Sequence, residues 1–342
     1  MASPAHFHST PDSTTLPTDV LRYLIRRLLW ACVLFIAVTF VTYAIFFLVP
    51  ANPARLAAGQ SATPERVEEV KQYLGLDKPF YVQYGKFLKR LVIEGSLGQS
   101  FVTRRSVNEE ILRAAPITAS LVFGAMVMVL SLAIPLGIFS ALRPRSLLDR
   151  TAMIYVLIGI SLPSFWIGLV LSYVVGYKLG WTPIAGYCEV FSVPEAAACG
   201  GLWDWAYHMI LPCLTLAIVV AGTYVRFVRA EVMDTLTMDF VRTARAKGAP
   251  ENRVIRKHVL RNAMLPVVTM VGMDIGLLLG GAIFIEAVFG LPGLGGTALE
   301  SIGRFDLPVL QGVVIFGAIA IIIFSLVVDI LYAWIDPRIR LT

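Results

Sequence analysis

Ile117-ITASLVFGAMVMVLSLAIPLGIFS-Ser140 runs for 24 residues without a single charged side chain. Coiled as a helix it measures about 36 Å at ~1.5 Å per residue. That exceeds the roughly 30 Å hydrocarbon core of a bilayer. Lipid offers no partner for a bare peptide group, and a helix satisfies its own. The stretch therefore reads as a membrane-crossing helix.

Five more blocks of the same kind lie on either side. Leu28–Val49, Thr151–Tyr177 and Leu307–Val328 carry no charge, and Asp329 follows the last. Met209–Val225 is short and borrows Trp205–His208 at its start. Leu265–Ile285 holds one charge, Asp274. Overall, 57% of the 342 residues are hydrophobic, against about 45–50% in soluble domains. Mean hydropathy is +0.74. The expected fold is an all-α integral membrane protein with six transmembrane helices.

Basic residues set the expected orientation, because inner loops retain Lys and Arg. With the N-terminus inside, inner segments hold 17 and outer segments 12. Ten of the outer ones lie between Arg55 and Arg113, in a loop long enough to translocate regardless of charge. The reading is N-in, C-in. The net charge of +6 records this bias and gives no reason to expect a nucleic-acid partner.

Four regions follow. Residues 1–20 are polar and read as a disordered cytoplasmic tail, with His6 and His8 as solvated side chains. Residues 21–49 form an interfacial helix, "RYLIRRLLW", leading into the first span. Residues 50–116 form an extracytoplasmic helical insertion. There Thr63, Pro64 and Gly75 bracket one helix. A stripe of Phe80, Tyr84, Phe87 and Leu91 marks a second, expected to pack on the first. Residues 117–342 make the membrane core and include an inner loop at 229–264.

The chain offers little chemistry. It has no G-x-x-x-x-G-K-[ST] loop for a nucleotide, no metal-ligand spacing, no H-E-x-x-H and no G-x-S-x-G. No catalytic residue and no metal site is expected. Cys32 and Cys213 fall inside spans and read as packing. Cys188 and Cys199 share the second outer loop, where a disulfide and two free thiols are both compatible with the sequence. Gly272, Gly276 and Gly280 line one helical face and invite close approach of another helix. "FGLPGLGG" reads as the end of one helix and the start of the next.

The inner stretch Asp239-DFVRTARAKGAPENRVIRKHVLRNAMLP-Pro266 is patterned beyond what a basic loop needs. Its first helix carries Arg242, Arg245 and Lys247 beside the small Ala244 and Ala246. Gly248 supplies the left-handed stop. Pro250 restarts a second helix, with Glu251 at its N-terminus. Pro266 sets the angle at which the fifth span begins. Such an element can act as a lever gripped by a soluble partner, its arginines pairing with acidic rims. A plain positive-inside loop is the alternative.

This stretch resembles the cytoplasmic signature of binding-protein-dependent ABC importer permeases, in particular the dipeptide/oligopeptide/nickel family. The family's Glu-Ala-Ala, three residues, Gly is matched by Thr243-Ala244-Arg245-Ala246-Lys247-Gly248. Further blocks agree: "RYLIRRLL…FFLVPANPA", "GLDKPFYVQYGKFL", "GSLGQSF", "SLPSFWIGLVL", "FIEAVFGLPGLG" and "DILYAWIDPRIRL". A long loop after the first span is similar to the first of the two permeases in such systems. Two departures stand out. The usual Gly-Asp-Pro is Ala51-Asn52-Pro53 here, and the usual Leu-Ser after the loop glycine is Ala249-Pro250.

The resemblance implies a half-transporter in the bacterial inner membrane, and no enzyme. A second permease would complete the pathway, and two ATP-binding cassette subunits would dock at Asp239–Pro266. An extracytoplasmic solute-binding protein would deliver a short peptide. ATP and Mg would sit on the partner chains, with no cofactor in this one. Nickel, glutathione or another small solute is the near alternative. An ion-gradient-driven carrier is the alternative of another class, marked by a set of intramembrane ionisable residues or by broken helices in paired repeats; one buried aspartate and no evident internal repeat count against it. Asp274 is read two ways, as a pathway carboxylate for a peptide's amino terminus or as a packing group. His258 lies within the signature and is assigned no proton chemistry.

Overall fold

Proline and glycine decide where the apolar blocks bend. The computed structural model describes residues 16–48, 53–58, 63–74, 77–190 and 199–335. These residues form helices α1 (Leu16–Leu48), α2 (Pro53–Ala58), α3 (Pro64–Leu74), α4 (Phe80–Ile93), α5 (Val107–Leu142) and α6 (Leu147–Ser161). α7 (Ser164–Lys178) follows, then α8 (Leu202–Leu236) and α9 (Asp239–Ala246). The last four are α10 (Glu251–Leu278), α11 (Ile283–Phe289), α12 (Leu294–Arg304) and α13 (Leu307–Ile335).

Five helices are long and apolar enough to cross a membrane, in α1, α5, α8, α10 and α13. The other membrane-length material is two bent pairs, which gives five to seven candidate spans among the described residues. α6 and α7 meet at 105°. Leu162 is extended there, with ψ 134°, because the ring of Pro163 excludes helical geometry from the residue before it. The block Thr151–Tyr177 is thus two helices. α11 and α12 meet at 89°.

The block Leu265–Ile285 is also divided. α10 stops at Leu278, and Gly281 turns the chain with φ +124°. A Cβ there would lie 2.8 Å from Gly295 Cα, so only glycine lets α11 fold back on α12. As "FGLPGLGG" suggested, α11 ends at Phe289, Gly290 is left-handed, and α12 starts at Leu294.

Two boundaries move. α1 is one helix from Leu16, so "RYLIRRLLW" continues without a break into the candidate span at Ile25–Ile45, and residues 16–20 are helical. Residues 1–15, with His6 and His8, lie outside the described residues, as do Ala51, Asn52, Gly75 and Asp336. The aromatic stripe of α4 is core, as expected. Its partner, however, is α1: Phe40 and Tyr43 meet Phe80, Tyr84 and Phe87, and Ile315 of α13 joins them.

α5 and α8 form the centre. Val122, Met126, Val129 and Ala133 pack with Ala217, Ala221, Tyr224, Val225 and Val228. α10 lies on α13 through its glycine face. A Cβ on Gly272 would come within 1.9 Å of Val328, and one on Gly276 within 2.9 Å of the Ile321 Cα. Backbone cannot yield as a side chain can, so overpacking there costs about 1–3 kcal/mol. Gly276→Val is expected to lower the melting temperature in detergent by several degrees, while Gly303→Val, with open space around it, leaves it within one degree.

Candidate functional site

The patterned stretch folds as an elbow between two long rods. α8 continues to Leu236, well past the apolar block that ends at Val225. α10 begins at Glu251 and runs unbroken into the membrane block, through one π-helical turn at Val254–Val259. The expected second short helix and the fifth span are therefore one element. Pro266 sits inside it rather than at its start.

α9 bridges the rods. Its inner side is Val241, fully buried, with Ala244 half-buried; they join Val228, Val232, Val254 and Val259 in one apolar cluster that reaches Ala141 of α5 and Ala152 of α6. Its outer side exposes Asp239, Phe240, Arg242, Thr243, Ala246 and Lys247. The two alanines thus divide: Ala244 faces the core and Ala246 faces outward.

Gly248 closes the elbow with φ +78° and nothing within 4 Å of a would-be Cβ. Its N–H donates to Arg245 O at 2.9 Å, and the next amide, of Ala249, reaches Ala244 O at 3.2 Å. Pro250 caps α10 rather than occupying its first turn. Arg245 does not point to a partner. Its guanidinium forks onto Glu251, Nη2 to Oε1 at 2.6 Å and Nε to Oε2 at 3.1 Å. This hydrogen-bonded pairing raises the Arg245 pKa further. Arg242 is 70% exposed and only loosely paired, 3.6 Å from Asp239. His258 is half-buried in the π-turn, where its carbonyl accepts from Asn262 Nδ2 at 2.7 Å.

A polar clip lies just above the elbow. Arg229 of α8 donates Nε to Asp149 Oδ1 at 2.8 Å and Nη2 to Oδ2 at 3.2 Å. Ser140 Oγ and the Arg145 N–H donate to the same carboxylate. The clip joins α5, α6 and α8 at the end of the bundle where α9 is seated. Sequence reading missed it, because the partners are 80 residues apart.

α9 is thus a basic, glycine-stopped helix wedged between the long helices α8 and α10. Residues 133–341 match the model of a family described as the binding-protein-dependent transport system inner membrane component. Residues 20–122 match its N-terminal companion. The chain belongs to this family of inner-membrane transport components.

The permease is 35% identical to the dipeptide transport system permease protein DppB of Alkalihalophilus pseudofirmus, over 94% of this chain and all of that one. It is 40% identical to the glutathione transport system permease protein GsiC of Escherichia coli K12, over 94% and 99%. A crystal structure of an amino acid ABC transporter with histidines matches 68% of this chain and 95% of that one, at 16% identity and a TM-score of 0.45. The permease is a multi-pass inner-membrane protein and a subunit of an ABC importer.

Two motif blocks outside the elbow act as fasteners. In "FIEAVFGLPGLGG", Glu286 is fully buried. It accepts from Thr118 Oγ1 at 2.8 Å, Gly296 N at 2.9 Å and Ala282 N at 3.3 Å, while Leu294 N donates to Thr118 at 2.8 Å. These bonds satisfy the carboxylate and hold α11, α12 and α5 together. In "GSLGQSF", Ser100 Oγ and the Phe101 N–H donate to the buried Asp306 between α12 and α13.

Asp274 is half-buried and accepts from Tyr224 Oη at 2.7 Å, so its carboxylate ties α10 to α8. Cys188 and Cys199 are bridged. His208 Nδ1 is 3.3 Å from Cys188 Sγ, and the bridge occupies both sulfurs of that trio. Cys213 is buried and Cys32 exposed.

Proposed function

We propose that the permease forms half of an import pathway for short peptides, with ATP and Mg bound and hydrolysed on separate cassette subunits. A second, similar permease completes the pathway, and an extracytoplasmic binding protein supplies the peptide. The chain is oriented N-in and C-in, with α9 in the cytoplasm. The observation that carries this reading is the elbow. Its outward face is basic and exposed, while its inward face is continuous with the core through Val241, Val254 and Val259.

A push on α9 therefore reaches α5 and α6 through packed side chains and the Arg229–Asp149 clip, and reaches the membrane half of α10 along one helix. Cassette closure biases the two rods between inward-open and outward-open arrangements. Both named relatives carry peptide-class solutes, since glutathione is itself a small peptide. That supports the substrate class.

Reconstitution tests the reading. The permease, expressed with its neighbouring transport subunits, is expected to purify with an ATPase chain. In vesicles it should take up alanyl-phenylalanine only when ATP and the loaded binding protein are both present. Uptake by this chain alone on a proton or sodium gradient would sink the proposal.

A further inference from the structure

The corner at Leu162–Pro163 and the turn at Gly280–Gly281 both lie at half height in the bundle. Gly159 and Gly168 flank the corner. A Cβ on the first would lie 3.3 Å from Ile218 O, and one on the second 3.4 Å from Thr215 Cγ2. Met209–Val225, the apolar block of α8, is centred on Ala217. The turn is level with Gly317, whose own Cβ would come within 2.9 Å of the Gly280 Cα. Gly317 is at the middle of the block Leu307–Val328. At that depth, non-helical backbone survives only where protein buries it or water reaches it.

The turn is of the first kind. Gly281 N donates to Leu278 O at 3.0 Å, and Ala282 N to Glu286 Oε1 at 3.3 Å. Gly295 and Gly317 close over it. The corner is different. Pro163 brings no N–H to the Gly159 carbonyl. The 105° bend carries the chain away from the last carbonyls of α6, which are left without helical partners. Trp166 and Ile167 both donate to Pro163 O, but the N–H groups of Ser164 and Phe165 precede any such turn.

The side chains repeat the contrast. Elsewhere in the spans a hydroxyl folds back on its own helix: Ser131 donates to Val127 O at 2.7 Å and Thr215 to Leu211 O at 2.8 Å. Among the described residues, no group pairs with the hydroxyl of Ser161 or Ser164. Ser161 and Pro163 are exposed, and Ser164 is half-buried. Lipid offers these groups nothing. A facing helix has spent its own peptide groups internally. Water serves donors and acceptors that fan out around one apex. Exposed aromatic rings follow, at Phe165 and Trp166, and Phe165 lies 6.2 Å from the exposed Phe284 of α11.

We propose that this corner lines the import pathway. Ser161, Ser164 and the free backbone groups between them face water at mid-membrane and exchange hydrogen bonds with the amide groups of a passing solute. Phe165, Trp166 and Phe284 beside them meet its side chains. The block Thr151–Tyr177 holds no charge, so the contact suits passage rather than capture. The proposal rests on the half-pathway reading above and adds which part of this chain lines the path.

The test uses the complete transporter in vesicles, with Cys32 replaced by serine. Cys213 is buried, and Cys188 and Cys199 are bridged. Ser161→Cys and Ser164→Cys each change one atom. Methanethiosulfonates attack a thiolate, which forms in water and not in hydrocarbon. The cationic trimethylammonium-ethyl reagent is added on both sides of the membrane during ATP-driven turnover. It is expected to label both thiols at least about tenfold faster than Val127→Cys, on the exposed side of α5. Labelling should stop uptake, and excess alanyl-phenylalanine with its binding protein should slow labelling. If neither thiol reacts faster than Val127→Cys, the proposal is overturned. In that event Trp166→p-benzoylphenylalanine tells a subunit seam from lipid by cross-linking to the second permease. Labelling that leaves uptake unchanged overturns it too, since it marks a water pocket off the path. If both thiols react but vesicles import solute with this chain as the only permease, the half-pathway reading fails and the lining stands, which is a separate result.

Discussion

Proline at Gly248 is expected to separate ATP hydrolysis from uptake. Gly248 holds φ +78°, and proline fixes φ near about −65°. The substitution also deletes the N–H that donates to Arg245 O. The backbone must then re-route between α9 and α10, and the Arg245–Glu251 fork loses its geometry. In the reconstituted transporter, uptake should fall by at least about tenfold. The cassettes should still hydrolyse ATP, at a rate no longer raised by the loaded binding protein. Alanine is the control. It meets open space at this position and carries only the left-handed penalty of about 1–2 kcal/mol, so most uptake should survive. Normal uptake by the proline variant would remove the elbow from the mechanism.

The second large effect belongs to the clip. Arg229→Ala leaves Asp149 buried among Ser140, the Arg145 amide and apolar neighbours, with no cation. Removing one partner of a buried pair costs about 3–5 kcal/mol. The Arg229 side chain is 25% exposed, so the lower end, about 3 kcal/mol, applies. Thermal unfolding of the detergent-solubilised permease should shift down by several degrees. The double variant Asp149→Leu with Arg229→Leu should recover most of that loss, because neither charge is then stranded. A single variant that melts within one degree of the parent would show that the carboxylate finds water instead.

Much of this molecule is legible in its sequence, and the misses share a cause. Charge-free length identifies helix-forming blocks, and the left-handed Gly248 and the "FGLPGLGG" break follow from residue type alone. Hydropathy does not register the Leu162–Pro163 corner or the Gly281 turn, because both lie inside uniformly apolar runs. The local signals, a proline and a glycine pair, were present but carried no change in polarity. Arg245 illustrates the limit at the site. Composition makes it a hand held out to a partner, whereas the elbow's geometry brings it six residues forward onto Glu251. Arg229–Asp149, Thr118–Glu286 and Ser100–Asp306 pair residues 80, 168 and 206 positions apart. No periodicity encodes such distances; the helix pairing must be known first.

The glycine face of α10 has a mechanical corollary. Where Gly276 crosses Ile321, α10 contributes no side chain of its own, so the crossing can serve as a pivot. From there to Glu251 is 25 residues, an arm of about 38 Å. A swing of 10° about that pivot carries the elbow end through about 6–7 Å. The opposite, short side of the pivot barely travels. The permease thus has the proportions of a crowbar, trading a broad stroke at the elbow for a small, forceful displacement at the far end of α10.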